Sequence, residues 1–496
     1  MFARQREPAV SRNLFRERLY NNVTIPSFEE ARSDLPRPVF PQEPFWVEMY
    51  WRAWELAWKN LRQPTKLETG LVANYIDTGS PDFMFLWDSV FMSQFGLYGR
   101  RQFDFMGTLD NFYARQHDDG YICRQIYTET GDDYFSPFDP NGTGPNILAW
   151  GEWRHFRLTG DKRRLQSVFW PLLGYQRWCR AHRTWPSGLY WATGMSSGMD
   201  NQTRVPDSEH YHQHWTWIDA SAQALITCRI LSQMATLLEE EEIAQEMAAH
   251  QAFLSREIYD QLWDDSAQFY KDADPQGRFS PVKSVGAYWA LLGPDLTPEN
   301  RLTALVTHLR DENGFRRLHQ VPSQAADSTG YDGEAGSLWR GGVWPSANFM
   351  LLKGLRTVGK IKLAHEIAVN HLEQVGKVFA HTDTFWNYYA ADAVRQGQGA
   401  IPDYVGWTGL TPISVFLEEV IGLNVDWPLR RVSWDRHYDG YYGVEKYPLG
   451  KEDYADFFGD DEKLTITTTA PFTLVVTTKY GRVQSAVAAG RSEISF

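Results

Sequence analysis

The run Ser197-Gly198-Met199-Asp200-Asn201-Gln202-Thr203-Arg204 holds one carboxyl among Gly, Met and amide side chains, with a guanidinium four residues on. In such apolar surroundings the ionised form of Asp200 is disfavoured, so its pKa rises toward the range where it protonates a leaving oxygen. An Asp in a turn also caps helices. What favours the acid role here is the aromatic company found elsewhere in the chain.

Trp87-Asp88 follows Phe83-Met84-Phe85-Leu86 and opens a predicted helix. It reads either as a helix cap on a core Trp or as a carboxylate that accepts from two sugar hydroxyls while Trp87 packs the ring. Trp339-Arg340-Gly341-Gly342-Val343-Trp344-Pro345 sets an Arg between two Trp in a Gly-hinged loop, where backbone or ligand approaches closely; an Arg stacked on Trp for structural reasons is the competing reading. His210, His212 and His214 alternate, which invites a metal, but no Cys or carboxylate completes a ligand set, so no metal and no cofactor is assigned. A GxxxxGK[ST] loop and a dinucleotide fingerprint are both missing from the sequence.

These residues need a frame. From about 45 to 423 apolar residues recur at three- and four-residue spacing between Gly, Pro, Asp and Asn clusters, predicting about a dozen helices: 47–62, 88–98, 104–117, 144–158, 161–183, 217–237, 239–262, 281–291, 297–311, 344–358, 361–380 and 407–421. Twelve helices taken as six hairpins close into a ring, odd members inside and even members outside, and the connections after inner helices then share one mouth. The stretches 81–88, 118–146, 185–216, 323–345 and 383–407 are such connections, long and aromatic. After Asp426 β-branched residues alternate, as in Leu464-Thr465-Ile466-Thr467, predicting a small antiparallel β-domain over 426–496. Residues 1–45 read as an irregular arm and 46–425 as the catalytic domain.

Composition narrows the function. The 21 Trp, 24 Tyr and 28 Phe make 15 % of the 496 residues aromatic, more than packing requires, and aromatic faces with polar edges suit sugar rings. With Lys and Arg at 49 against Asp and Glu at 62, the net charge of −13 argues against nucleic acid or an anionic membrane as partner. No apolar run is long enough for a signal peptide or membrane span, which predicts a cytoplasmic protein. The three cysteines, Cys123, Cys179 and Cys228, are widely spaced and read as reduced structural thiols.

Trp87-Asp88-Ser89-Val90-Phe91, Ser197-Gly198-Met199-Asp200-Asn201 through Arg204, Trp339 through Pro345 and Gly406-Trp407-Thr408-Gly409 together resemble the ordered motif set of the trehalase and mannosylglycerate hydrolase group, glycoside hydrolase families 37 and 63. The resemblance spans about residues 75–425. It implies a mainly α fold, an (α/α)₆ barrel, and an inverting, exo-acting hydrolase of small α-linked glycosides. Asp200 takes the general-acid position, and Trp87, Asp88, Asn146, Trp150, Asn201, Arg204, Trp339, Arg340, Trp344, Trp386, Tyr388 and Trp407 fall at or near sugar-contacting positions. The implied partner is a small carbohydrate; a monomer and a small homo-oligomer fit the sequence equally.

Inversion needs a second carboxylate across the sugar to deprotonate water. In this group it is a Glu followed shortly by an aromatic; the matching stretch is Asp383-Thr384-Phe385-Trp386-Asn387-Tyr388, so Asn387 occupies the base position. Four accounts stand. Asp403, Asp392, Asp383 or Glu334 takes over as base. Inorganic phosphate replaces water, held by Arg340 and the Gly341-Gly342 amides, making the enzyme an inverting phosphorylase. The protein binds sugar with little catalysis. Or the motif alignment shifts around a short gap.

Overall fold

Helices packed into an inner cycle alternate along the chain with helices packed behind them, and this alternation organises the computed structural model, which describes residues 6–205 and 211–495. Every residue of Leu86–Gly96, Val285–Leu292, Trp407–Leu410 and Thr411–Val420 is buried, and a helix apolar all round must be covered all round. With Leu148–Thr159, Ile218–Leu237 and Pro345–Thr357 they pack in a cycle: 86–96 on 148–159, then 218–237, 285–292, 345–357 and 407–420, which returns to 86–96.

Pro44–Lys59, Gly107–Ala114, Lys162–His182, Glu241–Gln261, Glu299–Arg310 and Ile361–Thr382 pack behind the members of this cycle. Glu241–Gln261 shows why: its buried residues are Ala244, Met247, His250, Leu254 and Ile258, a single stripe at three- and four-residue spacing. The nesting is thus the reverse of the sequence expectation. The second, fourth and later even helices form the cycle, because periodicity finds a stripe but does not say how much of the remaining surface is also covered.

This reversal turns the long loops around. They lead into the inner helices, so the inner N-terminal ends, with their free N–H groups and positive dipole ends, border the mouth. Two inner segments also depart from α geometry. Val285–Leu292 is a 3₁₀ helix whose first turn is capped by the Ser284 hydroxyl accepting from Gly286 N–H at 3.0 Å. Thr411–Val420 is π-wound, and Ile421 N–H reaches the Phe416 carbonyl at 2.8 Å.

The C-terminal strands form two sheets, starting at Leu423. One is ordered Arg37–Val39, Tyr442–Leu449, Asp453–Gly459, Lys463–Thr468, Gly490–Ser495; the other Gly481–Val487, Phe472–Thr478, Arg431–Asp435, Leu423–Asp426. Two expectations are corrected. Phe472–Thr478 runs parallel to Arg431–Asp435, because the chain visits the other sheet between them. The N-terminal arm is not irregular throughout: Arg37–Val39 pairs with the strand at Val444 and Glu445. Arg356 bonds Glu419 at 3.0 Å and Asp435 at 2.7 Å, fastening the C-terminal end of the helical cycle to the second sheet. Cys123, Cys179 and Cys228 are buried and unbridged.

Candidate active site

The short strand Phe83–Phe85 pairs with Gln125–Tyr127, and Leu86 N–H bonds the Arg124 carbonyl at 2.9 Å, so the first turn of Leu86–Gly96 starts from a fixed platform. That turn presents Trp87 and Asp88. Asp88 is buried and accepts from the Tyr404 hydroxyl at 2.8 Å. Burial pushes its carboxyl up to about 7; the Tyr404 bond and the Arg124 charge oppose this, and the Asp200 charge adds to it. The Trp87 indole N–H is buried with no partner among the described residues, a donor in want of an acceptor.

The Asp200 loop is built from capping chemistry. Thr193 and Ser196 form a reciprocal cap on the turn Gly194–Ser197, and Gly198 ends it in the left-handed region at φ 76°. A Cβ on Gly198 would lie 3.3 Å from the Trp87 ring, so glycine both allows the turn and seats it on the indole. Asp200 itself is exposed, not enclosed as its neighbours' composition suggested, since Met199 turns inward and the carboxyl outward. Its charge bears on Asp88 and on Arg124. The next residues staple a second loop: Asn201 donates to the Ser337 carbonyl at 3.2 Å and accepts from Trp339 N–H at 2.9 Å, while Gln202 donates to the Ser323 carbonyl at 2.7 Å.

An aromatic wall joins this loop to Asp88. Trp339 stacks on Trp344 at 4.0 Å, Trp344 on Tyr388 at 4.3 Å, Trp407 meets Trp344 edge-on at 5.5 Å, and Tyr404 lies 5.4 Å from Trp407. The motifs therefore meet in one continuous contact path, Asp200–Asn201–Trp339–Trp344–Trp407–Tyr404–Asp88. Trp344 has both faces covered and Tyr388 donates to the Gln398 carbonyl, so these two back the wall. Trp386 bonds the Thr382 hydroxyl through its indole at 3.2 Å, in the turn beside that wall.

Asn387 is buried in the same wall. Its carboxamide oxygen accepts from Ile401 N–H at 2.8 Å, and its carbonyl accepts from the Trp407 indole at 2.8 Å. Around it, Asp392 is held by Arg317 at 2.6 Å and Tyr331 at 3.0 Å. Asp403 is exposed and accepts from Thr384 at 2.5 Å; Asp383 and Glu334 are exposed as well. The anion cradle expected at Gly341-Gly342 is already spoken for: Gly341 N–H donates to the Ser323 hydroxyl and Gly342 N–H to the Leu338 carbonyl. Arg340 is half-buried and donates to the Gly330 carbonyl at 3.0 Å.

Three residues implied as sugar contacts have partners within the protein. Arg204 is fully buried, 2.8 Å from Asp219 and 3.4 Å from Asp272, over the Trp217 ring; a guanidinium so enclosed braces the loop. Trp150 is packed among Phe91, Trp289 and Phe349 inside the helical cycle. Asn146 donates to Gln176 at 2.6 Å. Of the alternating histidines, His210 lies outside the described residues; His212 accepts from His214 N–H and packs on Trp185 and Trp191.

Two residues at the site escaped the sequence reading. Arg124 lies electrostatically between Asp88 and Asp200, yet its pentapeptide carries no aromatic or Gly signature. Tyr404 was legible in principle, three residues before Trp407.

A mouth with two neighbouring carboxylates, a cation and an aromatic wall is the equipment of a carbohydrate-active enzyme. The chain belongs to the mannosylglycerate hydrolase MGH1-like glycoside hydrolase domain family, whose model matches residues 82–400, within the trehalase and GH63-like group. It is 26 % identical over 282 residues to a probable mannosyl-oligosaccharide glucosidase of Schizosaccharomyces pombe, covering 54 % of this chain and 33 % of that one. The fold is shared with the GH63 mannosylglycerate hydrolase of Thermus thermophilus in complex with glucose, at 22 % identity and TM-score 0.57, covering 73 % of this chain and 98 % of that one. It is shared also with neutral trehalase Nth1 of Saccharomyces cerevisiae, at 14 % identity and TM-score 0.56, covering 70 % and 74 %.

Proposed function

We propose that the protein is an inverting, exo-acting glycosidase of small α-linked glycosides, glucosides or mannosides such as mannosylglycerate, built on an (α/α)₆ barrel with Asp200 as general acid. The observation that carries the reading is the convergence of Asp200, Arg124, Asp88 and the unpartnered Trp87 indole at the N-terminal end of an inner helix. A pyranose seated on this wall displaces water from the exposed Asp200, and that loss of water disfavours a charged carboxylate. Asp200 then donates its proton to the glycosidic oxygen as the bond breaks, while Asp88 and the Trp87 N–H hold hydroxyls. Long aromatic loops crowding one end suit a single terminal sugar, which supports exo action.

Asn387 supplies no base, and its oxygen is committed to Ile401. Water activation therefore falls to a carboxylate brought in with loop movement, Asp403 being the nearest in sequence to the wall, or turnover is slow. The specific observation of Asn387 favours a second reading, a sugar-binding protein with weak catalysis; the phosphorylase reading loses its Gly341-Gly342 cradle.

Proton NMR of the purified chain with trehalose, other α-linked disaccharides and mannosylglycerate, with and without phosphate, tests this. The expected first product is the β-anomer, with Asp200→Asn lowering kcat by about 10²–10⁴. Asn387→Glu is expected to raise kcat by a similar order. Turnover unaffected by Asp200→Asn rejects the acid assignment; saturable shifts without turnover, rescued by Asn387→Glu, establish the binding-protein reading; a sugar 1-phosphate establishes the phosphorylase.

A further inference from the structure

A cavity of about 530 Å³ lies at the opposite end of the helical cycle from the mouth, between the C-terminal parts of the inner helices and the strands Leu423–Asp426 and Arg431–Asp435. Its size is that of a small-molecule site. Six cations line it, Arg154, Arg157, Arg229, Lys353, Arg356 and Arg431, against two lining carboxylates, Glu418 and Asp426. Four of the cations are paired: Arg154 with Glu418, Lys353 with Glu418 and Glu419, Arg356 with Glu419 and Asp435, Arg157 with Asp426.

Arg229 and Arg431 are different. Among the described residues neither has a carboxylate within ion-pair distance. Among the described residues Arg229 donates once, to the Leu292 carbonyl at 3.3 Å, and Arg431 makes no side-chain hydrogen bond, though its charge acts on Asp426. Both are half-buried in the cavity wall. The carbonyl ends of the inner helices attract cations to this end of the molecule, and the Leu292 bond is one instance. That attraction leaves most of ten N–H donors on two planar forks without acceptors. Guanidinium forks in a partly enclosed space bind phosphoryl oxygens in pairs. Trp153, half-buried on the same wall, adds an aromatic face, and Gln233 and Ser433 add hydroxyl-bonding groups.

From this we infer a second ligand site, separate from the mouth, that takes a phosphoryl-bearing small molecule of the sugar-phosphate class through Arg229 and Arg431. The inference does not depend on the catalytic reading of the mouth. The test is titration calorimetry of the full chain with glucose 6-phosphate, inorganic phosphate and glucose. Glucose 6-phosphate is expected to bind saturably, and Arg229→Gln/Arg431→Gln to weaken it at least tenfold without changing glucose binding. Gln233→Glu, an exposed rim substitution that breaks no contact, is expected to weaken it severalfold and serves if the double variant misfolds. Inorganic phosphate binding as tightly as the sugar phosphate assigns the site to the phosphoryl group alone; weaker phosphate binding assigns part of it to the aromatic wall. The inference is overturned if no phosphate-bearing titrant gives saturable heat. It is equally overturned if folded Arg229→Gln/Arg431→Gln and Gln233→Glu bind as the parent does, or if only Asp88→Asn at the mouth removes binding.

Discussion

Asp88 carries the clearest electrostatic signature at the residue scale. Its folded pKa of about 7 lies above the ordinary carboxyl value, so the folded protein holds a proton that the unfolded chain releases. Stability from this group is therefore full below pH 4 and is lost as pH rises from about 4 to 7. Asp88→Asn keeps an acceptor for the Tyr404 hydroxyl and removes the charge. Thermal melts should show the variant gaining on the parent as pH rises from 5 to 8, by a few kcal/mol at most, while kcat/KM falls by about 10² or more. A melting difference that stays flat across this range would show that Asp88 is already ionised at pH 5.

At the scale of elements, the site depends on loops that hold one another. The 185–216 loop fixes the 323–345 loop through the Asn201 bonds to Ser337 and Trp339, so Asp200 and the outer face of the Trp339 stack share one staple. Asn201→Ala leaves the partly buried Trp339 N–H unpaired, at about 1–3 kcal/mol, while the Ser337 carbonyl keeps the Arg340 N–H at 3.0 Å. It should raise KM and quicken hydrogen exchange at Trp339, with the helical cycle unaffected. The helices themselves were legible as spacing, near enough that each predicted segment overlaps an observed one. Their nesting was not, because an amphipathic stripe and a fully buried helix share the same three- and four-residue recurrence.

At the scale of the whole molecule, the join between the helical cycle and the sheets rests on a buried charge network. Burial raises the Glu418 carboxyl, but Lys353 and Arg154 overcome this and hold it down to about 2; Glu419 is lowered too, by Arg356 and Lys353 against burial. These groups contribute stability above their ordinary pKa of 4.5, and it is lost as pH falls below that value, for Glu418 down through about 2. Glu419→Gln leaves Lys353 and Arg356 short of a partner inside the protein, which costs about 3–5 kcal/mol. Denaturant unfolding at pH 7 and pH 3 checks this: the deficit should shrink at the lower pH.

By its residue types and their order alone, the sequence determined the helical class, the change to strands near 426, and the family, because Trp87-Asp88, Asp200, Trp339 to Trp344 and Trp407 form a chemical set with few other uses. Tertiary structure alone decided which of those residues face the mouth and which support it. Arg204 and Trp344 have the types of ligand contacts but are enclosed; Arg124 has no motif yet its charge bears on both carboxylates; and Asp200, surrounded in sequence by apolar and amide residues, points outward. The physical reason is the same in each case. Exposure and electrostatic neighbours are set by residues outside the local stretch, as Asp272 is for Arg204, Trp407 for Trp344, Asp200 for Arg124 and Tyr404 for Asp88, and no local pattern carries that information.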